Sequence, residues 1–70
     1  MRPRVLFDSR DIETRLRSCE CVAQAHGWHP NDIIHFAKEV REAFSYEEAM
    51  EIIEREFEIS YRQRERLPLG

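Results

Sequence analysis

Five side chains that can bind a transition metal lie close together in the sequence: Cys19, Cys21, His26, His29 and His35. Two thiolates and two imidazoles would suit a tetrahedral zinc site. However, Cys19 and Cys21 are two positions apart, and in a helix this spacing turns two side chains about 200° away from each other. The same geometry disfavours a disulfide between them. We therefore predict no metal site and no cofactor, with Cys19 in the core and Cys21 on the surface. A zinc-stabilised module is a less favoured alternative.

A second feature is the excess of glutamate in residues 42–58, where Arg55 is the single cation. Four of these glutamates follow the i,i+3/i+4 spacing that places side chains on one helix face. Such a row of carboxylates can occupy a basic groove on a partner protein in place of nucleic-acid phosphates. Alternatively, it is a solvated face that keeps a small protein soluble. The predicted partner-binding residues are Glu47, Glu51, Glu54 and Glu58.

Residues 19–36 show a third pattern, in which a small residue precedes a glycine by four positions and apolar anchors follow. The positions of this pattern are filled by Val22, Ala23, Gly27, Trp28, Ile33 and Phe36. Over about a quarter of the chain, it resembles the helix-turn-helix superfamily of bacterial DNA-binding regulators. The resemblance implies a second helix that contacts base edges and basic chain ends that contact phosphates. The implied DNA-binding residues are Asn31, His35, Lys38, Arg2, Arg4, Arg62 and Arg64. An ordinary helical hairpin that ends at a glycine would give the same pattern.

Helical periodicity and punctuating residues predict three helices, at about 10–26, 30–44 and 46–62. Ser9 and Ser45 are the expected N-caps, Gly27 the expected stop, and Pro30 the expected first residue of the second helix. The side chains expected to be buried are Ile12, Leu16, Cys19, Val22 or Ala23, and His26 in the first helix, Ile33, Phe36, Ala37, Val40 and Phe44 in the second, and Tyr46, Ala49, Met50, Ile53 and Phe57 in the third.

The end of the third helix is ambiguous, because residues 57–62 alternate apolar and polar side chains as a strand does. A strand there could pair residues 5–7 with 57–61 as a short terminal β-ribbon. We favour continued helix, because no turn residue separates Met50 from Tyr61. The predicted fold is an all-α three-helix bundle, and the ribbon is a reservation.

Composition predicts one domain over residues 1–70 with an acidic body and basic arms at 1–10 and 62–70. The net charge is −3. The N-terminal apolar run covers only residues 5–7, too short for a secretory signal or a membrane span, so we expect a cytoplasmic protein without a membrane partner. A chain of 70 residues has a marginal core, so a partner protein or a second copy in a homodimer is expected to add stability.

No Gly-rich phosphate loop or recognisable catalytic constellation occurs in the sequence, so we do not expect an enzyme. The leading hypothesis is a small regulatory protein that binds a basic surface of another protein, such as an inhibitor of phage or mobile-element origin. The alternative is a helix-turn-helix transcriptional regulator that binds DNA through the DNA-binding residues named above.

Overall fold

A computed structural model describes residues 2–61 of the chain. Its elements are β1 (Arg4–Phe7), α1 (Ile12–Ala25), α2 (Pro30–Arg41), α3 (Tyr46–Glu56) and β2 (Glu58–Tyr61). The two strands pair in parallel, with Arg4 opposite Glu58 and Phe7 opposite Tyr61. The prediction of a small, mostly helical fold is therefore confirmed, and the terminal ribbon that was kept as a reservation is present.

The preferred end of the third helix, near residue 62, was wrong. Phe57 has extended backbone angles (φ −132°, ψ 149°) that end α3. The amide of Glu58 then donates to the carbonyl of Pro3 at 2.8 Å, and the pairing of the two strands begins there. Because β1 is buried at Val5 and Phe7, its backbone groups need partners inside the protein. Residues 58–61 supply those partners only as a strand.

The turn between α1 and α2 matches its prediction. Gly27 has a φ of +87°, which glycine adopts at little cost. The amide of Gly27 donates to the carbonyl of Gln24 at 3.1 Å, and that of Trp28 to Ala23 at 3.0 Å. These two bonds form a Schellman motif, which satisfies the last carbonyls of α1. Trp28 then packs against the core instead of facing solvent.

Two of the three helix starts are confirmed and one is corrected. Pro30 is the first residue of α2, and the Ser45 hydroxyl caps α3 by accepting from the amide of Glu48 at 3.1 Å. For α1, the cap is Asp11 and not Ser9, because the Asp11 carboxylate accepts from the amide and the hydroxyl of Thr14, each at 2.9 Å. The Ser9 hydroxyl instead accepts from the amide of Asp11.

Helix α2 ends three residues earlier than predicted, and this changes the fate of Phe44. The chain leaves the helix after Arg41, so Phe44 lies in the turn before α3 and is 95% exposed. Tyr46 was also expected in the core but is 45% exposed, with its hydroxyl donating to the Arg10 carbonyl. His26 is exposed as the C-cap of α1. These three burial predictions were wrong.

The core joins the sheet to one face of each helix. Its fully buried side chains include Val5, Leu16, Cys19, Ile53 and Phe57. Phe57 stacks on Trp28 with 5.2 Å between ring centroids, and its ring centroid lies 5.3 Å from that of Phe36. The turn between α1 and α2, helix α2 and the end of α3 therefore meet in one aromatic cluster. Within residues 2–61, no helix is long and apolar enough to cross a membrane.

Candidate functional site

A groove between α2 and α3 is lined by five carboxylates. It has a volume of about 580 Å³ and is open to solvent. Ala43 and Ile52 line it together with the polar residues, and Ser45 lies at its turn end. We call it the acidic groove, and its carboxylates belong to Glu39, Glu42, Glu47, Glu48 and Glu51.

Two elements supply these carboxylates, and the short connection between the elements brings their side chains to one groove. Glu39 and Glu42 lie at the C-terminal end of α2, whereas Glu47 and Glu48 lie in the first turn of α3. Carboxylates are favourable at the positive N-terminal end of a helix dipole, which explains why α3 tolerates two of them there. Only four residues separate α2 from α3, so the two sets of side chains border one groove.

Arg55 is the one cation among the described residues that line the groove. Its guanidinium donates to the Glu39 carboxylate at 2.9 Å. This hydrogen bond and the charge of Glu39 raise the pKa of Arg55. Within residues 2–61, Glu42, Glu47, Glu48 and Glu51 form no salt bridge, so their unneutralised charges give the groove a negative potential.

The four glutamates predicted to form one row divide into two places. Glu47 and Glu51 line the acidic groove, whereas Glu54 and Glu58 line a separate depression with Arg2. Glu58 lies on β2, where it pairs with Arg4 at 3.8 Å. A continuous helical row from 47 to 58 was therefore wrong, because α3 ends at Glu56.

Sequence reasoning missed the contribution of α2 to this surface. Glu39 and Glu42 are not among the partner-binding residues predicted from the sequence. The signal that could have placed them was the short turn before Ser45, which makes the end of α2 and the start of α3 spatial neighbours.

The residues implied by the helix-turn-helix resemblance lie on one exposed face of α2. Asn31, His35 and Lys38 are all exposed, and their i,i+4 and i,i+3 spacing aligns them. Carboxylates lie near two of them, however. His35 borders a depression with Asp32, Glu39 and Glu56, and Lys38 borders another with Glu20 and Glu42.

The predicted basic arms are placed only in part. The Arg2 guanidinium donates to the backbone carbonyl of Glu54 on α3, and Arg4 pairs with the carboxylate of Glu58 on β2. Arg62 and Arg64 lie outside the described residues.

The cysteines and histidines adopt separate roles. Cys19 is fully buried and burial, assisted by the charge of Glu20, raises the pKa of its thiol to about 12, while Cys21 is exposed. The Nδ1 atom of His29 accepts from the amide of Asn31 at 3.1 Å and so caps α2. Among residues 2–61, no three His, Cys, Asp or Glu side chains are arranged to hold a metal ion.

Comparison of the chain with protein-family models, with curated proteins and with solved structures finds no match.

Proposed function

We propose that this chain is a small cytoplasmic regulatory protein that binds another protein, and that its acidic groove receives a basic segment of that partner. The observation that supports this proposal is the group of five carboxylates on two helices, of which only Glu39 is neutralised by a cation within the described residues. A partner with lysine or arginine side chains would relieve the repulsion among the others.

The chemistry of the groove favours a polypeptide over a small ligand. Its walls are acidic side chains that are exposed or half-exposed, whereas small-molecule sites are mostly apolar and enclose their ligand. An extended charged surface instead steers and orients a macromolecule of opposite charge. A basic segment that normally binds nucleic-acid phosphates has the required charge, so the expected outcome of binding is inhibition of such a partner.

DNA binding by α2 has less support from the surface. A recognition helix needs donors toward bases and cations toward phosphates. Here Lys38 is the one cation of the three predicted residues on α2, and the nearby Arg41 is paired with Glu13. Glu42 borders the same depression as Lys38, and Asp32 borders that of His35. The phosphate backbone would be repelled by this surface at low salt, when electrostatic effects are strongest.

The proposal is tested by a competition experiment with defined probes. A fluorescent DNA duplex is bound to a lysine- and arginine-rich amphipathic peptide, and the full chain is titrated into the complex while anisotropy is recorded. The wild-type chain should displace the duplex from the peptide. The double variant Glu47→Lys/Glu51→Lys should lose at least about tenfold of this activity, because two groove charges are reversed.

Glu54→Lys is the matched control for the single groove variant Glu51→Lys, since each reverses one exposed glutamate of the same helix and Glu54 lies outside the acidic groove. It should displace the duplex as the wild type does. Equal loss in the control and the groove variant would contradict the groove as the binding site. If the chain binds the labelled duplex directly and with a steep salt dependence, the helix-turn-helix alternative replaces this proposal.

A further inference from the structure

Phe44 is the most exposed large apolar side chain among residues 2–61. It is 95% exposed, whereas Ile34, the next, is 62% exposed. It lies on the turn between α2 and α3, at the rim of a depression to which all three helices contribute. We call Phe44 and this depression the Phe44 patch. Phe44 itself lines the depression, and Glu13, Arg41, Ala43, Ser45 and Tyr46 are among its other lining residues.

The charges of the Phe44 patch cancel within it. The Arg41 guanidinium donates to both carboxylate oxygens of Glu13, at 3.1 and 3.3 Å, and this contact raises the pKa of Arg41. The patch thus presents one cation and one anion side by side. When a second copy faces the first across a two-fold axis next to this pair, the anion of each copy lies toward the cation of the other. The acidic groove lacks this property, because its unpaired charges all have one sign.

We propose that the Phe44 patch binds the same patch of a second copy, with each Phe44 inserted into the depression of the other chain. A projection next to a depression on one surface is what an isologous two-fold contact requires. Burial would remove from water an aromatic ring that no residue of 2–61 covers, and aromatic residues are frequent anchors of interfaces. The Glu13–Arg41 pairs of the two copies would form one four-charge cluster at the edge.

The expected dimer is weak. One aromatic side chain buries roughly 150–250 Å². The area buried by two inserted rings and the edges of the two depressions is therefore smaller than the roughly 1,200 Å² of a standard stable interface. The Phe44 patch and the acidic groove share only Ala43 and Ser45, so the groove carboxylates stay accessible in the dimer. The inference therefore does not rest on the proposed function, and each can fail alone.

The test is sedimentation equilibrium of the full 70-residue chain over a wide concentration range. The wild-type average mass should rise from monomer toward dimer as concentration increases. Phe44→Ser should weaken association by at least about tenfold, because it removes one apolar anchor from each copy. Its circular dichroism should stay native, since Phe44 is not part of the core formed by the described residues. Ile34→Ser is the matched control, because it removes another exposed apolar side chain, and it should associate as the wild type does.

A charge swap tests the orientation of the two copies. Glu13→Arg should weaken association, because it leaves four cations at the interface. Adding Arg41→Glu should restore it, because the patch again holds one charge of each sign. A wild-type chain that is monomeric at all concentrations overturns the proposal, and so does equal association of the wild type and Phe44→Ser. If Phe44 instead anchors a different protein, the wild-type chain alone will remain monomeric, which counts against the proposal.

Discussion

The guanidinium of Arg15 on α1 lies 4.9 Å from the ring centroid of Phe7 on β1. The rings of Tyr61 and Tyr46 lie 5.2 and 5.7 Å from the same guanidinium, and its Nε donates to the Ser9 carbonyl at 2.6 Å. Arg15 is only 8% exposed. A single buried cation thus joins α1 to both strands and to the start of α3, and cation–π contacts are strongest when they are removed from water.

Arg15→Ala should lower the free energy of unfolding by about 2–3 kcal/mol, because it removes the aromatic contacts, the hydrogen bond and the packing of the side-chain stem. The stability of Arg15→Lys should fall between those of the wild type and Arg15→Ala, since an ammonium cannot stack on a ring as a planar guanidinium does. Urea denaturation measures these changes. Arg17→Ala, at an exposed position of the same helix, should change stability by less than about 0.5 kcal/mol. Equal losses at positions 15 and 17 would contradict a structural role for the buried cation.

Gly27→Ala should destabilise the fold by about 1–2 kcal/mol, through the backbone alone. The φ of +87° is unfavourable for any residue with a Cβ, yet a Cβ at this position would meet no atom within 4 Å. Gly27→Asn should lose less, because asparagine tolerates the left-handed region better. Thermal unfolding followed by circular dichroism gives both values. An alanine variant as stable as the wild type would show that the turn between α1 and α2 has a different backbone conformation.

Stability should depend on pH through Asp11. The hydrogen bonds from the amide and hydroxyl of Thr14 hold the pKa of its carboxyl below the ordinary value of 3.8. A carboxylate whose pKa is lowered by folding contributes stability that is complete above the unfolded pKa and lost as pH falls through the folded pKa. The wild type should therefore exceed Asp11→Asn in urea midpoint near neutral pH, and the two should converge below about pH 4. A difference that stays constant down to low pH would contradict this origin.

The helices were predictable because their signals are local. Gly27, Pro30 and Ser45 act on neighbouring amides and carbonyls, so a short window of sequence contains their effect. The strand at 58–61 was only a reservation because its partner lies more than fifty residues away in β1. Its alternating pattern was visible, but the demand of a buried β1 for hydrogen bonds appears only when the chain is folded.

The candidate site shows the same limit. Periodicity correctly placed Glu47 and Glu51 on α3, but it extended the row to Glu58, which belongs to β2 and pairs with Arg4. Whether carboxylates of different elements border one groove depends on how two helices pack. That information is absent from a helical wheel, so the part played by Glu39 and Glu42 could not be derived from spacing.

The two cysteines should differ sharply in reactivity. A thiol must ionise to react with Ellman's reagent, and burial raises the pKa of Cys19 to about 12 while the side chain is fully covered. Cys21 is exposed on the same helix. At about pH 8, where an ordinary thiol is partly ionised, the native chain should release one equivalent of thiolate dye, and unfolding in urea should release a second. Cys21→Ser should abolish the native reaction and leave only the urea-dependent one. Two fast equivalents in the native state would mean that α1 does not pack on the core through Cys19.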